Sequence, residues 1–137
     1  MPARAKLFEH TASVDRAGRI SAENGGPLAL HDAWSPEHLL LAALCRCTLK
    51  SLAYHARRAN LDVVGSASAR DVVTRREEDG RYAIVELSCS LDVEVDPEPP
   101  GEELEALLAK AQRDCFVSAS LAVPTEYRWR VNGRDVG

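Results

Sequence analysis

Apolar and polar positions alternate with different periods along the chain, and the changes of period mark its elements. Residues 5–14 (A-K-L-F-E-H-T-A-S-V) alternate loosely and predict an opening strand. Asp15–Gly18 reads as a turn, with residues 19–22 pairing back as a hairpin. Asn24-Gly25-Gly26-Pro27 is a second turn signal, and a short strand at 28–30 completes an N-terminal meander. Ser35-Pro36-Glu37 then opens a helix predicted to run to about Asn60. Serine suits the N-cap, proline the first helical position, and glutamate the positive end of the helix dipole. Its first half, Leu39 to Leu49, is apolar nearly all round, which predicts burial on most faces.

Two valine-rich alternating segments, 62–76 and 81–95, follow, joined by E-E-D-G. They predict a long β-hairpin. Pro97, Pro99 and Pro100 end the sheet. Residues 102–113 form an amphipathic helix with Leu104, Leu107, Leu108 and Ala111 on one face. A second short helix starts near Cys115 and ends before Pro124, and 125–131 (T-E-Y-R-W-R-V) alternates as a last strand. The sum is an α+β fold: β-meander, long buried central helix, β-hairpin, C-terminal helices and strand.

At 137 residues the chain predicts one domain spanning 1–137. A net charge of -4 with scattered arginine pairs (Arg57–Arg58, Arg75–Arg76) argues against a nucleic-acid partner, which needs clustered positive charge. The longest apolar run, Leu39 to Cys45, is far shorter than the ~20 residues of a membrane span, and no signal-peptide pattern opens the chain. The expectation is a soluble, cytoplasmic protein with no membrane partner. In that compartment, cysteines serve as thiols, redox groups or metal ligands before they serve as permanent cross-links.

The four cysteines carry the candidate chemistry. Cys45 and Cys47 lie two apart on the central helix, roughly 200° apart around its axis, so they cannot face one pocket together. Cys47 shares its face with Leu40, Leu44, Ser51 and Tyr54; Cys45 shares its own with Leu41, Leu49 and Leu52. Any one of these thiols, Cys89 in its strand above all, can equally be a small buried hydrophobe. There is no C-x-x-C pair, and His10, His31, His38 and His55 are too scattered for metal-ligand spacing, so no metal or cofactor is expected. A reactive thiol wants a cation and partial exposure. Mid-helix placement does not give Cys47 that cation. Glu37 alone reads as a first-turn carboxylate, Arg16 as an exposed turn residue, and Trp34 and Trp129 as packing groups.

S-P-E-H-L-L-L-A-A-L-C-R-C-T resembles the central-helix motif of the OsmC/Ohr family of hydroperoxide-reducing proteins, with ten residues from Glu37 to Cys47. D-C-F-V-S-A-S-L is similar to the family's second-cysteine motif, and the order of elements agrees over nearly the whole chain. The resemblance implies a cysteine-based hydroperoxide reductase in which Cys47 is the peroxidatic thiol and Cys115 the resolving thiol. It makes Glu37 the carboxylate that orients an arginine, and Arg16 in R-A-G-R that arginine, with Arg19 as the fallback. It implies a hydroperoxide substrate, an external dithiol or lipoylated-protein reductant, and an intertwined homodimer with two interfacial sites. Ten helical residues rise about 15 Å, so Glu37 and Cys47 of one chain cannot meet, and a shared site needs Glu37 from a second subunit. The chain departs from the pattern in the loop before Pro36, which is not glycine-rich, and in Gln112-Arg113-Asp114, which lacks a specialised histidine. Cys45 stands where a small residue is usual and is a rival nucleophile. These departures favour a general OsmC-like branch. Two alternatives stay open: a non-catalytic OsmC-like binding or stress-associated protein with buried thiols, and an α+β hydrolase, for which no nucleophile elbow is present.

Overall fold

The computed structural model describes residues 8–14, 16–17, 20–23, 26–28 and 34–137. The chain divides into two compact units, Met1–Ser35 and Pro36–Gly137. In the first, β1 (Ala12–Val14), β2 (Ile20–Ala22) and β3 (Gly26–Leu28) form an antiparallel sheet in that order, the expected meander. The Glu23 carboxylate accepts from the Thr11 backbone N–H at 2.9 Å and ties the two ends of the first hairpin. Gly26 and Pro27 were expected in a turn, yet they pair with Ala22 and Ser21. An edge strand tolerates this because proline there loses no ladder donor facing inward. The start of the expected opening strand (5–7), Asp15, Gly18, Arg19, Asn24, Gly25 and residues 29–33 lie outside the described residues.

The second unit begins with α1 (Pro36–Arg58), which starts at the expected proline and ends on His55, Arg57 and Arg58, cations that complement its negative end. Next come β4 (Asp62–Arg75) and β5 (Tyr82–Asp96), an antiparallel pair turning through Gly80 at φ 70°, where glycine carries no Cβ penalty. The chain continues through α2 (Gly101–Arg113) and α3 (Phe116–Ala119) to β6 (Glu126–Val131) and β7 (Arg134–Val136). The sheet order is β4-β5-β6-β7. β6 lies parallel to β5, and the intervening helices make the crossover that a parallel pair requires. β7 was not read from the sequence. It follows a tight turn at Asn132-Gly133, both at positive φ, and that Asn-Gly dipeptide is itself a hairpin signal.

Alternation along β5 divides its side chains between two faces. Leu87, Cys89, Leu91, Val93 and Val95 are buried and join Leu44 and Leu52 of α1 and Leu104, Leu107 and Leu108 of α2 in one core. Each such leucine, fully buried, contributes about 1.5–3 kcal/mol. Gly65 on β4 is demanded by a close approach: a Cβ there would sit 2.6 Å from the Asp92 carbonyl oxygen. The central helix departs from the expectation of burial on most faces. Its buried residues are Leu44, Thr48, Leu52 and Ala56, one stripe at four-residue spacing, while Ala42, Ala43 and Arg46 are exposed. Within the chain α1 packs on β4, α2 and α3. No helix among the described residues is long and apolar enough to cross a membrane.

Candidate active site

The first sulfur of the site comes from α1. Cys47 sits one residue before the buried Thr48, so its side chain lies at the flank of the buried stripe, half-exposed. The second comes from the break between α2 and α3. Cys115 is the residue before α3, with extended backbone (φ -77°, ψ 97°), and it is fully buried. The two thiols lie near enough for each to shift the other. Ser51 Oγ donates to the Ala111 carbonyl at 2.8 Å, fixing α1 to the end of α2. Trp129 Nε1 donates to Gln112 Oε1 at 2.7 Å, fixing that end to β6. The break carrying Cys115 is held by α1, also through His55 and Asp114, and by β6.

Thr48 and Tyr127 complete the surroundings of Cys115. Thr48 Oγ1 lies 2.9 Å from the Leu44 carbonyl, 3.4 Å from Cys115 Sγ and 3.2 Å from the Tyr127 hydroxyl. One hydroxyl carries one proton, so Thr48 donates back along its helix, to the sulfur or to Tyr127, and Tyr127 donates either to Thr48 or to the sulfur. Burial works against the Cys115 anion. Hydrogen bonds to the sulfur from Thr48, the Ser118 N–H, Cys47 and Tyr127 outweigh it, and the Cys115 thiol is held below its ordinary value. Cys47 moves the other way. Burial pushes it up, the N–H groups of Val117 and Phe116 work against that, and its contact with Cys115 adds to the rise. Tyr127 is pushed up to about 12, mainly by burial, and remains a proton donor.

Cys47 opens on a cavity of about 400 Å³ lined by Ala43, Arg46, Lys50, Ser51, Asp114, Phe116 and Val117. Its walls are apolar at Ala43, Phe116 and Val117 and charged at the rim. Asp114 there is held at about 2, first by its hydrogen bonds from Arg113 and further by His55, whose Nε2 lies 2.7 Å from Asp114 Oδ2. Such a site suits an organic molecule with one polar end. Among the described residues, no group of three or more His, Cys, Asp or Glu is placed to hold a metal ion.

Of the residues singled out in the sequence, Cys47 and Cys115 come together. Glu37 is exposed in the first turn of α1, ten residues from Cys47 along the same helix. Arg16 is exposed in the turn between β1 and β2, within the N-terminal unit, and Arg19 lies outside the described residues. Sequence reading missed Thr48 and Tyr127. A threonine on the i, i+4 apolar stripe of α1 was the available signal for the first. Nothing in the sequence signalled the tyrosine. It also missed that Cys45, on the other side of α1, packs against the core holding Cys89, near enough for each thiol to shift the other. All four cysteines are free thiols.

The family model described as OsmC-like protein matches residues 29–129. No curated protein matches the chain by sequence. Among solved structures, it is similar to the organic hydroperoxide resistance protein OhrB of Bacillus subtilis, at 21% identity and a TM-score of 0.58, over 93% of this chain and 100% of that one. It is similar to the organic hydroperoxide resistance protein OsmC of Legionella pneumophila, at 23% identity and a TM-score of 0.64, over 93% and 100%. An OsmC-like protein of unknown function from Vibrio cholerae shares the fold at 15% identity and a TM-score of 0.70, over 90% and 99%. At these identities the likeness is one of fold.

Proposed function

This chain belongs to the OsmC-like protein family, and from that premise we propose that it is a thiol-dependent peroxidase reducing organic hydroperoxides to alcohols. The observation that carries the reading is the contact between Cys47, which faces an open and partly apolar cavity, and Cys115, buried behind it among hydrogen-bond donors. Two of the proteins sharing the fold are named organic hydroperoxide resistance proteins, which supports the substrate class.

The Cys47 thiolate attacks the terminal oxygen of R–O–O–H. The O–O bond breaks, R–O⁻ leaves and takes a proton to give the alcohol, and Cys47 becomes a sulfenic acid. The Cys115 thiolate then attacks the Cys47 sulfur, expelling hydroxide and forming the disulfide. Two electrons have passed from two thiols to the peroxide. An external dithiol attacks the half-exposed Cys47 sulfur, and Cys115 leaves. The donors around Cys115 favour both of its steps: they favour its thiolate for the condensation and make it the better leaving group in the reduction.

Burial raises the Cys47 thiol within its own unit, so the attacking step needs a cation. In this reading Arg16 supplies it, and Glu37 of a second subunit holds that guanidinium by a bidentate pair, which makes the working protein a homodimer. A non-catalytic role for the fold is the second reading, and the raised Cys47 thiol is the observation that favours it. Steady-state reduction of cumene hydroperoxide with a lipoyl dithiol as electron donor separates the two. Turnover lost in Cys47→Ser and in Arg16→Gln, from a protein that elutes as a dimer with light-scattering detection, is the expected result. No turnover by the native protein, or turnover unaffected by Cys47→Ser, would overturn the peroxidase.

A further inference from the structure

The peroxidase cycle uses two of four thiols, and the other two are also a pair. Cys45, on the opposite side of α1 from Cys47, is half-exposed and packs against the core cluster that holds the fully buried Cys89 of β5, near enough for each thiol to shift the other. The arrangement repeats that of Cys47 and Cys115: an outer thiol on α1 at a cavity and an inner thiol behind it. Cys45 opens on its own cavity of about 570 Å³, lined by Ala42, Arg46, Leu49, Lys50, Ala53 and Ala67. Small side chains leave the sulfur approachable, burial pushes its thiol up, and the two cations at the cavity favour an anionic partner.

We propose that Cys45 and Cys89 form a second dithiol–disulfide couple, which exchanges through this cavity with a negatively charged low-molecular-weight disulfide. The Cys45 thiolate attacks one sulfur of R–S–S–R, the S–S bond breaks, and R–S⁻ leaves, giving a mixed disulfide on Cys45. Cys89 attacks the Cys45 sulfur, and the second R–S⁻ leaves with the Cys89 proton as R–SH. Two protein thiols are oxidised to one disulfide, and R–S–S–R is reduced to two thiols. Burial first, and then the neighbouring Cys45 charge, push Cys89 up to about 12. The mixed disulfide abolishes that neighbouring charge, so the second step is eased by the first. The closed bridge joins α1 to β5 through the core.

This couple needs no hydroperoxide, so its test stands apart from the peroxidase reading. Trypsin cleaves after Arg46, Arg81, Lys110 and Arg113, which leaves the four cysteines on four different peptides. The reduced native protein is equilibrated with oxidised and reduced glutathione at varied ratio, quenched with acid, alkylated and mapped. The Cys47→Ser/Cys115→Ser variant is treated alongside, and mapping of the native protein decides alone if the variant does not fold. The expected result is a Cys45–Cys89 linkage whose amount follows the glutathione ratio reversibly. It forms about tenfold faster with oxidised glutathione than with uncharged 2-hydroxyethyl disulfide, and Arg46→Gln/Lys50→Gln removes that advantage. A Cys45 that stays glutathionylated beside an alkylatable Cys89, or a pair that reacts only in denaturant, overturns the couple. Equal rates with the two disulfides overturn the anionic partner.

Discussion

Cys115 and Cys89 are both fully buried in the same core, yet their thiols are displaced in opposite directions. Burial opposes the anion at both. Around Cys115, the Thr48 and Tyr127 hydroxyls, the Ser118 N–H and the Cys47 thiol all reach the sulfur; Cys89 has a Thr48 contact, but two neighbouring sulfurs raise it further. Donors, not depth, decide which inner thiol is ready to react. Thr48 is the first of these donors, and the start of α3 adds another, since a strand such as β5 spends its N–H groups on its neighbours whereas the first N–H groups of a helix are free.

The sharpest way to break this comparison is to exchange the outer partners. Cys47→Ser is expected to lower hydroperoxide turnover to the uncatalysed background, while Cys45→Ser leaves it unchanged; equal losses would erase the distinction between the two pairs. Thr48→Val comes next. It removes a donor to Cys115 and one partner of the Tyr127 hydroxyl, which should cost ~1–3 kcal/mol in denaturant unfolding. The pH at which Cys115 becomes alkylatable should rise in that variant, and an unchanged profile would move the cause away from the hydroxyls. Trp129→Phe loses the bond to Gln112 and with it the tie of the α2–α3 break to β6. A loss of about 0.5–1.5 kcal/mol is expected, with slower disulfide formation at Cys115 and none of that slowing at Cys89.

The smallest effect concerns Asp114 beside Cys115. Its folded-state value of about 2 lies below the ordinary 3.8. A depressed carboxylate stabilises above its unfolded value, and that contribution is lost as pH falls from about 3.8 through about 2. Asp114→Asn should flatten the acid limb of the stability profile in that window and leave neutral pH almost unchanged, as suits an exposed group. An acid limb identical to the native one would mean that His55 and Arg113 do not hold the loop through this carboxylate.

The two regions were unequally legible in the sequence. Elements followed from local signals: Pro36 opened α1 where expected, Asp79-Gly80 turned the long hairpin, and the leucines of α2 declared its buried face. Helical geometry also placed Cys45 and Cys47 on different sides, and each lines a different cavity. The pairing of Cys45 with Cys89 was not legible, because it depends on the register that sets Cys89 against Ala69 and Tyr127 and on which face of the sheet receives α1. The parallel insertion of β6 beside β5 is likewise a property of topology, not of any local pattern. Thr48 was readable as a polar residue in an apolar stripe, but its partners, 67 and 79 residues away, were not.

The most direct test of the central claim is a time course of disulfide formation after one equivalent of cumene hydroperoxide is added to the fully reduced protein, mapped on the four separate tryptic peptides. The account predicts that the Cys47–Cys115 linkage appears first, while Cys45 and Cys89 are still alkylatable. A Cys45–Cys89 linkage appearing first, or Cys47 driven to sulfinic acid while Cys115 stays alkylatable, would contradict it.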